Sequence, residues 1–390
     1  MHQFQLSPPL APYALAERPD SNEDERQEQM YKARALIHSD LGRALYMVGG
    51  TSAPCSALAR YAALPGLPNQ PVQLLHAVSA EPARQPWGPQ SSERLCITVA
   101  HQQLLGTGSR HAPRAHFKWV PHSVDSAPWG QQAVRNGVLP LNSTDGIAVG
   151  DVVALTVAVA GGRLSGLACL QFPVAALGWV RLSSGRHPAL HLPSPGKLAD
   201  FNPALREIGL LADGQGLSDT QLAAAPLKNL GAPHQGCATQ HLCYYLKPLP
   251  SAQGPVPMLL RGVCDADGAP IAAPTPIASG VVSLQLLFGV DGNNAVSAPI
   301  GQVSHYLRWE HVVQRQLCGR VRTVLYALVV RAMQSKPEHP KVTLVPIASP
   351  ALGVDSDCFY PFVPRNLQEQ HDHYTVHCAE VVLREHSWAR

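Results

Sequence analysis

The sequence predicts an α+β fold in which a long N-terminal amphipathic helix packs on a large, mainly antiparallel β-domain. Residues 22–48 carry helix-like apolar periodicity and contain no proline. From residue 49 onward, short apolar runs alternate with clusters of Pro, Gly, Ser and Asn, which is typical of strands and turns. Because a helix with one apolar face must bury it, the sheet is the expected partner of that face.

The composition restricts the class of protein. The 390 residues include 30 Lys+Arg and 27 Asp+Glu, a formal charge of +3, and 45% are hydrophobic. High apolar content with low net charge excludes a disordered chain. No basic run provides the electrostatic footprint of a nucleic-acid-binding protein, so we expect no nucleic-acid partner. The 36 prolines and 31 glycines favour a turn-rich β protein.

The N-terminal region divides into an arm and a helix. Residues 1–21 have no periodicity and are predicted to form an irregular arm. Acidic residues 23–25 then occupy the first helical turn, where the helix dipole favours them. Gly49 and Gly50 are expected to end the helix. The apolar stripe of this helix consists of Met30, Ala33, Ile37, Leu41 and Ala44, widened by Leu36 and Leu45.

The remainder is predicted to consist of strands with one short helix at 311–317. The run at 321–333 is apolar in its middle and predicts a central strand covered on both faces. Residues 184–236 and 334–366 are predicted to be rich in loops. The predicted strands are 95–100, 152–159, 164–172, 179–182, 242–247, 258–263, 281–290, 321–333 and 374–385.

Nine cysteines with irregular spacing leave two alternatives open. Some pair in an oxidising compartment, or all are buried thiols that act as small hydrophobic residues. If a disulfide forms, Cys237 and Cys243 are the best candidate pair, because a short loop joins them at the entrance to a strand-like run.

Four residues within ten positions are weak candidates for a metal site: His234, Cys237, His241 and Cys243. All four side chains can bind zinc, but their spacing matches no standard zinc motif, so a turn leading into a strand is the default interpretation. A zinc-dependent enzyme is retained as an alternative of another class. A nucleophile elbow, a phosphate-binding loop and a His-Glu-x-x-His motif are all absent from the sequence. We therefore expect no catalytic residue and no cofactor, and favour an assembly or binding role.

A second histidine cluster lies at the start of the last predicted strand. His371, His373 and His377 share one strand parity and can face the same way, with Asp372 between them. A solvated strand entrance is the preferred interpretation.

Five segments follow one another in an order that carries a resemblance. They are DLGRALYMVGG at 40–50, CYYLKPLPSAQGPVPMLLRGV at 243–263, IASGVVSLQLLFGVDGNN at 277–294, WEHVVQRQLCGRVRTVLYALVVRAM at 309–333 and HYTVHCAEVVLREHSW at 373–388. In these segments the chain resembles PilW-type minor pilins of type IV pili. The resemblance covers residues 30–50 and 240–390, and leaves a large insertion around 51–235 within a β-rich, pilin-like domain spanning 49–390.

The resemblance implies a non-enzymatic structural protein. Such proteins associate with other minor pilins, the major pilin and a tip adhesin to prime pilus assembly, and they sit at or near the pilus tip. The expected location is the cell envelope, at the periplasmic face of the inner membrane and in the pilus. Met30, Ile37, Leu41 and Leu45 are the candidate residues of the assembly helix, packed against the chain's own sheet or against neighbouring subunits. A J-type minor pseudopilin of a type II secretion system is the alternative with the same fold.

The chain departs from the family pattern at its start and at the end of the helix. The family begins with a basic leader, a Gly-Phe-x-x-x-Glu processing site and an apolar anchor helix. None of these three elements is found in this sequence. We therefore expect a truncated or trimmed form or a misplaced start codon, and membrane contact only through such an anchor. Gly42 stands where an Arg is usual and Leu45 where a Gly is usual.

Overall fold

The structure, a computed structural model, describes most of the chain in segments. The described residues are 22–45, 55, 57–61, 72–82, 92–100, 116–117, 137–141, 143–159, 166–182, 185–193, 198–218, 221–222, 225–231, 239–251, 254–264, 270–292, 302–332, 341–347, 359–367 and 369–383. The predicted arm at 1–21 lies outside them.

The described fold is mainly β, so the predicted α+β class with a long amphipathic helix is wrong. The described segments contain eighteen strands and three α-helices. The helices are α1 (Asn22–Leu41, 20 residues), α2 (Asn202–Glu207) and α3 (Trp309–Gln314). Helix α1 has a narrow buried stripe, but Tyr31 and Leu36 are exposed while the charged Asp40 is buried. Apolar and polar residues are therefore not separated onto two faces as predicted.

Helix α1 ends at Leu41, seven residues before the predicted end at Val48. Glycine is a poor helix former, and Gly42 opens a turn that continues to Leu45. Leu45 adopts a left-handed conformation with φ of 53°, and its amide donates to the Thr98 carbonyl at 2.8 Å. This conformation ends the helical path and directs the chain to the neighbouring sheet. Residues 46–48 lie outside the described segments.

The strands occupy the chain from residue 57 to residue 382. They are β1 (Ala57–Tyr61), β2 (Val72–Leu75), β3 (Val78–Pro82), β4 (Glu93–Ala100), β5 (His116–Phe117), β6 (Val138–Pro140), β7 (Val152–Val159), β8 (Gly166–Pro173), β9 (Ala176–Leu182), β10 (Gly185–His191), β11 (Leu227–Gly231), β12 (Thr239–Leu249), β13 (Val256–Cys264), β14 (Thr275–Ser279), β15 (Val281–Val290), β16 (His305–Leu307), β17 (Val321–Ala332) and β18 (His373–Val382).

These strands form four sheets around two main cores. The first core lies between a six-stranded sheet of order β2-β1-β8-β7-β11-β5, a three-stranded sheet of order β6-β10-β9, and α2; it contains Leu155, Phe172 and Phe201. The second core lies beneath α1 and α3 on a five-stranded sheet of order β14-β13-β12-β4-β3 and a four-stranded sheet of order β16-β15-β17-β18. Strands β1 and β8 pair in parallel, and the other strand pairs described are antiparallel.

Most of the strand predictions are confirmed, with small shifts of the ends. The predicted strands 152–159 and 281–290 coincide with β7 and β15. Strand β17 is central, between β15 and β18, and is buried on both faces as predicted. The prediction of loops for 184–236 is wrong, since β10, α2 and β11 lie there. Strand β10 carries Pro188 and two histidines, so only its pairing with β9 and β6 stabilises an extended conformation that local propensity does not favour.

Candidate functional site at the helix–sheet junction

A buried carboxylate fastens the end of α1 to the sheet beneath it. Asp40 is 1% exposed and accepts a hydrogen bond from the Tyr244 hydroxyl at 2.6 Å. The Arg261 Nε donates to the same Oδ2 atom at 2.8 Å. The Arg43 guanidinium forms an ion pair with Oδ1. Three donors therefore satisfy a charge that would be costly to bury alone.

The sheet places the two long donors side by side. Tyr244 of β12 and Arg261 of β13 are directly opposite each other in the antiparallel register. Side chains at such positions point to the same face. Asp40 follows the buried stripe of α1, so its carboxylate meets that face from above.

The electrostatics of this cluster favour a neutral tyrosine and a charged arginine. Burial, together with the charge of Asp40, raises the pKa of Tyr244 well above its usual range. Burial acts to lower the pKa of Arg261, but the hydrogen bond and charge of Asp40 outweigh it and the net pKa is raised. Because both shifts move the pKa values of Tyr244 and Arg261 further from neutral pH, the cluster is suited to holding elements together.

Asp40, Tyr244 and Arg261 lie in segments that carry the family resemblance, but their contact is not predicted by the sequence. The available signal was the pairing of two residues, Tyr244 and Arg261, in a predicted hairpin, and an acidic residue within the apolar end of a helix. A second polar contact reinforces the junction, because the Gln29 Oε1 accepts from the amide and the hydroxyl of Ser279 at 3.0 and 2.9 Å.

The four candidate residues of the assembly helix lie in the interior of this chain. Met30, Ile37 and Leu41 are at most 3% exposed and pack in the core between α1 and the sheets. Leu45 lies in a separate cluster with Cys55 and Cys169. Their burial is that expected of a stripe packed within the chain's own fold, and the role of the helix in assembly stays a prediction.

A disulfide lies directly beside the helix end. Cys55 is bonded to Cys169 of β8, across 114 residues of sequence. The Cys55 amide also donates to the Leu45 carbonyl at 3.3 Å. The turn after α1 is thus hydrogen-bonded both to β4, through Thr98, and to Cys55, which the disulfide ties to the six-stranded sheet.

The predicted Cys237–Cys243 disulfide is wrong, because Cys243 is bonded to Cys96. These two residues are directly opposite each other on β12 and β4, so sheet pairing brings them together across 147 residues. Cys237 and His234 lie outside the described residues.

Of the metal candidates, the structure places His241 and Cys243 close to Cys96. Their ligand atoms lie within 4.8 Å of one another. Zinc binds the thiolate form of cysteine, and both sulfur atoms are committed to the disulfide. His241 Nδ1 instead lies 3.2 Å from the Thr98 hydroxyl. In this oxidised form the cluster is therefore a sheet cross-link.

The described residues thus define a disulfide-bonded, mainly β protein whose N-terminal helix is fixed to a sheet by a buried carboxylate. Within it, residues 243–384 match the model of the family described as Type IV Pilus-assembly protein W. Over these residues the match confirms the predicted resemblance to PilW-type pilus assembly proteins. It supports involvement in type IV pilus assembly and association with the cell envelope.

Comparison with curated proteins and with solved structures gave no significant match. Among the described residues, no helix combines the length and the apolar character needed to cross a membrane.

Proposed function

We propose that this protein is a structural, non-enzymatic minor pilin that acts with other pilus components to prime type IV pilus assembly at or near the tip. The partners in this proposal are other minor pilins, the major pilin and a tip adhesin. The place of action is the periplasmic face of the inner membrane and the pilus. The family match over residues 243–384 supports the pilus role.

The observation that carries the proposal is the attachment of α1 to the matched region. Asp40 comes from the helix, whereas Tyr244 and Arg261 come from the first two strands of that region. A helix that transmits contacts between subunits must hold a fixed orientation on its own domain. Charge-assisted hydrogen bonds in a buried setting provide that orientation.

Complementation of a deletion strain tests the proposal. We expect loss of surface pili and of twitching motility on deletion, and recovery with the wild-type gene. Asp40→Ala should restore neither fully, because the buried Tyr244 and the partly buried arginine partners lose their acceptor. The matched control is Glu28→Ala on the same helix, where the carboxylate is exposed and pairs with the exposed Lys32.

The readouts are the amount of sheared pilin, the twitching zone and the position of an epitope tag by immunogold labelling. Normal piliation in the deletion strain would contradict the proposal. Normal piliation with defective protein secretion would instead favour the type II pseudopilin alternative.

A further inference from the structure

A groove lies between α1 and the last two strands of the four-stranded sheet. Its volume is about 280 Å³. Helix α1 contributes Arg26, Tyr31 and Arg34 to one wall, and the floor includes Val330 of β17 and His373 and His377 of β18. This is the flank of α1 opposite to the one that Gln29 and Asp40 attach to β14, β12 and β13.

The groove carries fixed positive charge. Among the described residues, neither Arg26 nor Arg34 forms an ion pair with a carboxylate, whereas the neighbouring Lys32 pairs with Glu28 at 2.5 Å. The Arg34 guanidinium lies close enough to the Tyr326 hydroxyl and to His377 for its charge to act on both. Asp372, next to the groove in sequence, is buried beside Arg331. Two partly buried guanidinium groups above a floor of mixed apolar and polar side chains form a site that complements a carboxylate.

The floor of the groove ends at an open sheet edge. Strand β18 is the outermost strand, and no described strand pairs with its outer side. The Leu383 amide donates inward to the Arg322 carbonyl at 2.8 Å. Because backbone groups alternate between the two sides of a strand, the amides of Tyr374 and Val376 point to the open edge. An edge of this kind is a template for a further strand.

We propose that the outer edge of β18 accepts an acidic β-strand from a partner protein. The added strand pairs with the backbone around Tyr374 and Val376, and every second side chain faces α1 because side chains alternate across a sheet. Carboxylates at those positions meet Arg26 and Arg34, while Tyr31, which is 75% exposed, packs over the strand. The inference deepens the proposed function, on which it rests for the identity of the partner as a pilus component.

Synthetic peptides test the inference on the purified full-length protein. The first probe is acetyl-Val-Glu-Val-Glu-Val-Glu-Val-amide, with binding measured by fluorescence anisotropy. A second probe replaces Glu by Lys, and a third is N-methylated at alternate residues so that it cannot pair with a strand. We expect binding of the first probe, and affinities at least ten-fold lower for the other two.

Charge-reversal variants identify the site. The double variant Arg26→Glu/Arg34→Glu should weaken the first probe at least ten-fold and improve binding of the lysine probe. Lys32→Glu, on the exposed side of the same helix, is the matched control and should change neither affinity. Absence of binding, equal affinity for the acidic and basic probes, or equal loss in the Lys32 variant would overturn the inference. Because the assay uses no pilus component, its failure leaves the piliation result of the Asp40 variant unaffected.

Discussion

Asp40 shows how one side chain fixes the orientation of an element. A buried charge is destabilising unless its donors are retained, so the cluster is expected to respond strongly to loss of the carboxylate and weakly to loss of one donor. The donors differ in exposure: Tyr244 is fully buried, whereas the Arg261 and Arg43 side chains are 25% and 19% exposed. Water can therefore solvate the arginines after the acceptor is removed, but it cannot reach the tyrosine.

We predict that Asp40→Ala lowers the free energy of unfolding by about 3 kcal/mol, in the range for broken buried ion pairs. Tyr244→Phe should cost about 1 kcal/mol, since both arginines still neutralise Asp40. Urea unfolding followed by circular dichroism measures both values. Equal effects of the two substitutions would contradict a role for Asp40 as the common acceptor.

Leu45 occupies a position where the backbone conformation and the side chain have opposite requirements. Its φ of 53° is left-handed, which favours glycine and is strained for leucine. Its side chain is nevertheless 1% exposed and packs against the Cys55–Cys169 disulfide. This conformation gives a physical reason for the glycine that is usual at this position in the resembled family.

We predict that glycine is more stable than alanine at position 45, which is the reverse of their order within a helix. Both Leu45→Ala and Leu45→Gly lose the buried side chain, at about 3 kcal/mol, but the glycine variant should be more stable than the alanine variant by about 1 kcal/mol because it relieves the left-handed strain. Leu41, equally buried but within α1, is the control: there the glycine variant should be the less stable by about 1 kcal/mol. The same order at both positions in thermal unfolding would refute the explanation.

At the scale of elements, the two sheets of the second core are joined through side chains of β4. The Ser92 hydroxyl accepts from the Leu284 amide of β15 at 3.3 Å, and the Glu93 carboxylate accepts from the Leu286 amide. Arg308 lies 3.5 Å from Glu93 and stacks over Tyr360. These contacts satisfy backbone groups on the side of β15 that does not face β17, and so join β4 to β15.

Two titratable groups with opposite shifts lie in this region. Burial raises the pKa of Glu93 from 4.5 to about 7, an effect that the Leu286 amide and Arg308 only partly offset. Burial, with a smaller contribution from the charge of His241, lowers the pKa of His76 from 6.5 to about 4. The His76 ring packs against Trp309 at 5.4 Å, beside Arg308 in sequence.

We predict that the two groups give opposing pH dependences. The stability from Glu93 is fully present below pH 4.5 and is lost as the pH rises through about 7. The stability from His76 is present above pH 6.5 and is lost as the pH falls through about 4. Relative to wild type, Glu93→Gln should therefore become progressively more stable as the pH rises from 5 to 7. His76→Phe should become progressively more stable as the pH falls from 6.5 to 4.5. Each slope is at most about 1.4 kcal/mol per pH unit.

Urea unfolding at half-unit steps from pH 4.5 to 7.5 measures these differences. If the free energy of unfolding of the two variants changed with pH in parallel with that of wild type, the assigned pKa shifts of Glu93 and His76 would be contradicted. The control is Glu81→Gln, since Glu81 lies on β3 with a carboxylate that is 48% exposed.

Elements set by local sequence were predictable, whereas those set by distant contacts were not. Strands β15 and β17 were predictable because a strand that is buried on both faces consists of consecutive apolar residues. The end of α1 was not, because it depends on a contact between Leu45 and Thr98 of β4. The disulfide partner of Cys243 and the acceptor of Tyr244 are likewise set by pairing across more than one hundred residues, which periodicity does not encode.

At the scale of the molecule, the described segments show two kinds of connection at the boundary between the two cores, one through the chain and one through a disulfide. The chain passes from β2 in one sheet to β3 in another through His76 and Ala77 alone. The Cys55–Cys169 disulfide joins the residue two positions before β1 to β8 at the same boundary, where Leu45, Leu58 and Leu75 form a small separate cluster. By contrast, Cys96–Cys243 lies within one sheet, between β4 and β12.

We predict that the two disulfides stabilise different parts of the molecule. In the double variant Cys55→Ser/Cys169→Ser, amide protection from hydrogen exchange should fall mainly in β1 and β8, while β15 and β17 stay protected. In Cys96→Ser/Cys243→Ser, it should fall mainly in β4 and β12. Each bond closes a loop of more than one hundred residues, so each loss should cost about 5 kcal/mol of stability in the chain-entropy description. Uniform loss of protection in both variants would show that the two cores unfold as a single cooperative unit, since local opening is only visible where regions differ in stability.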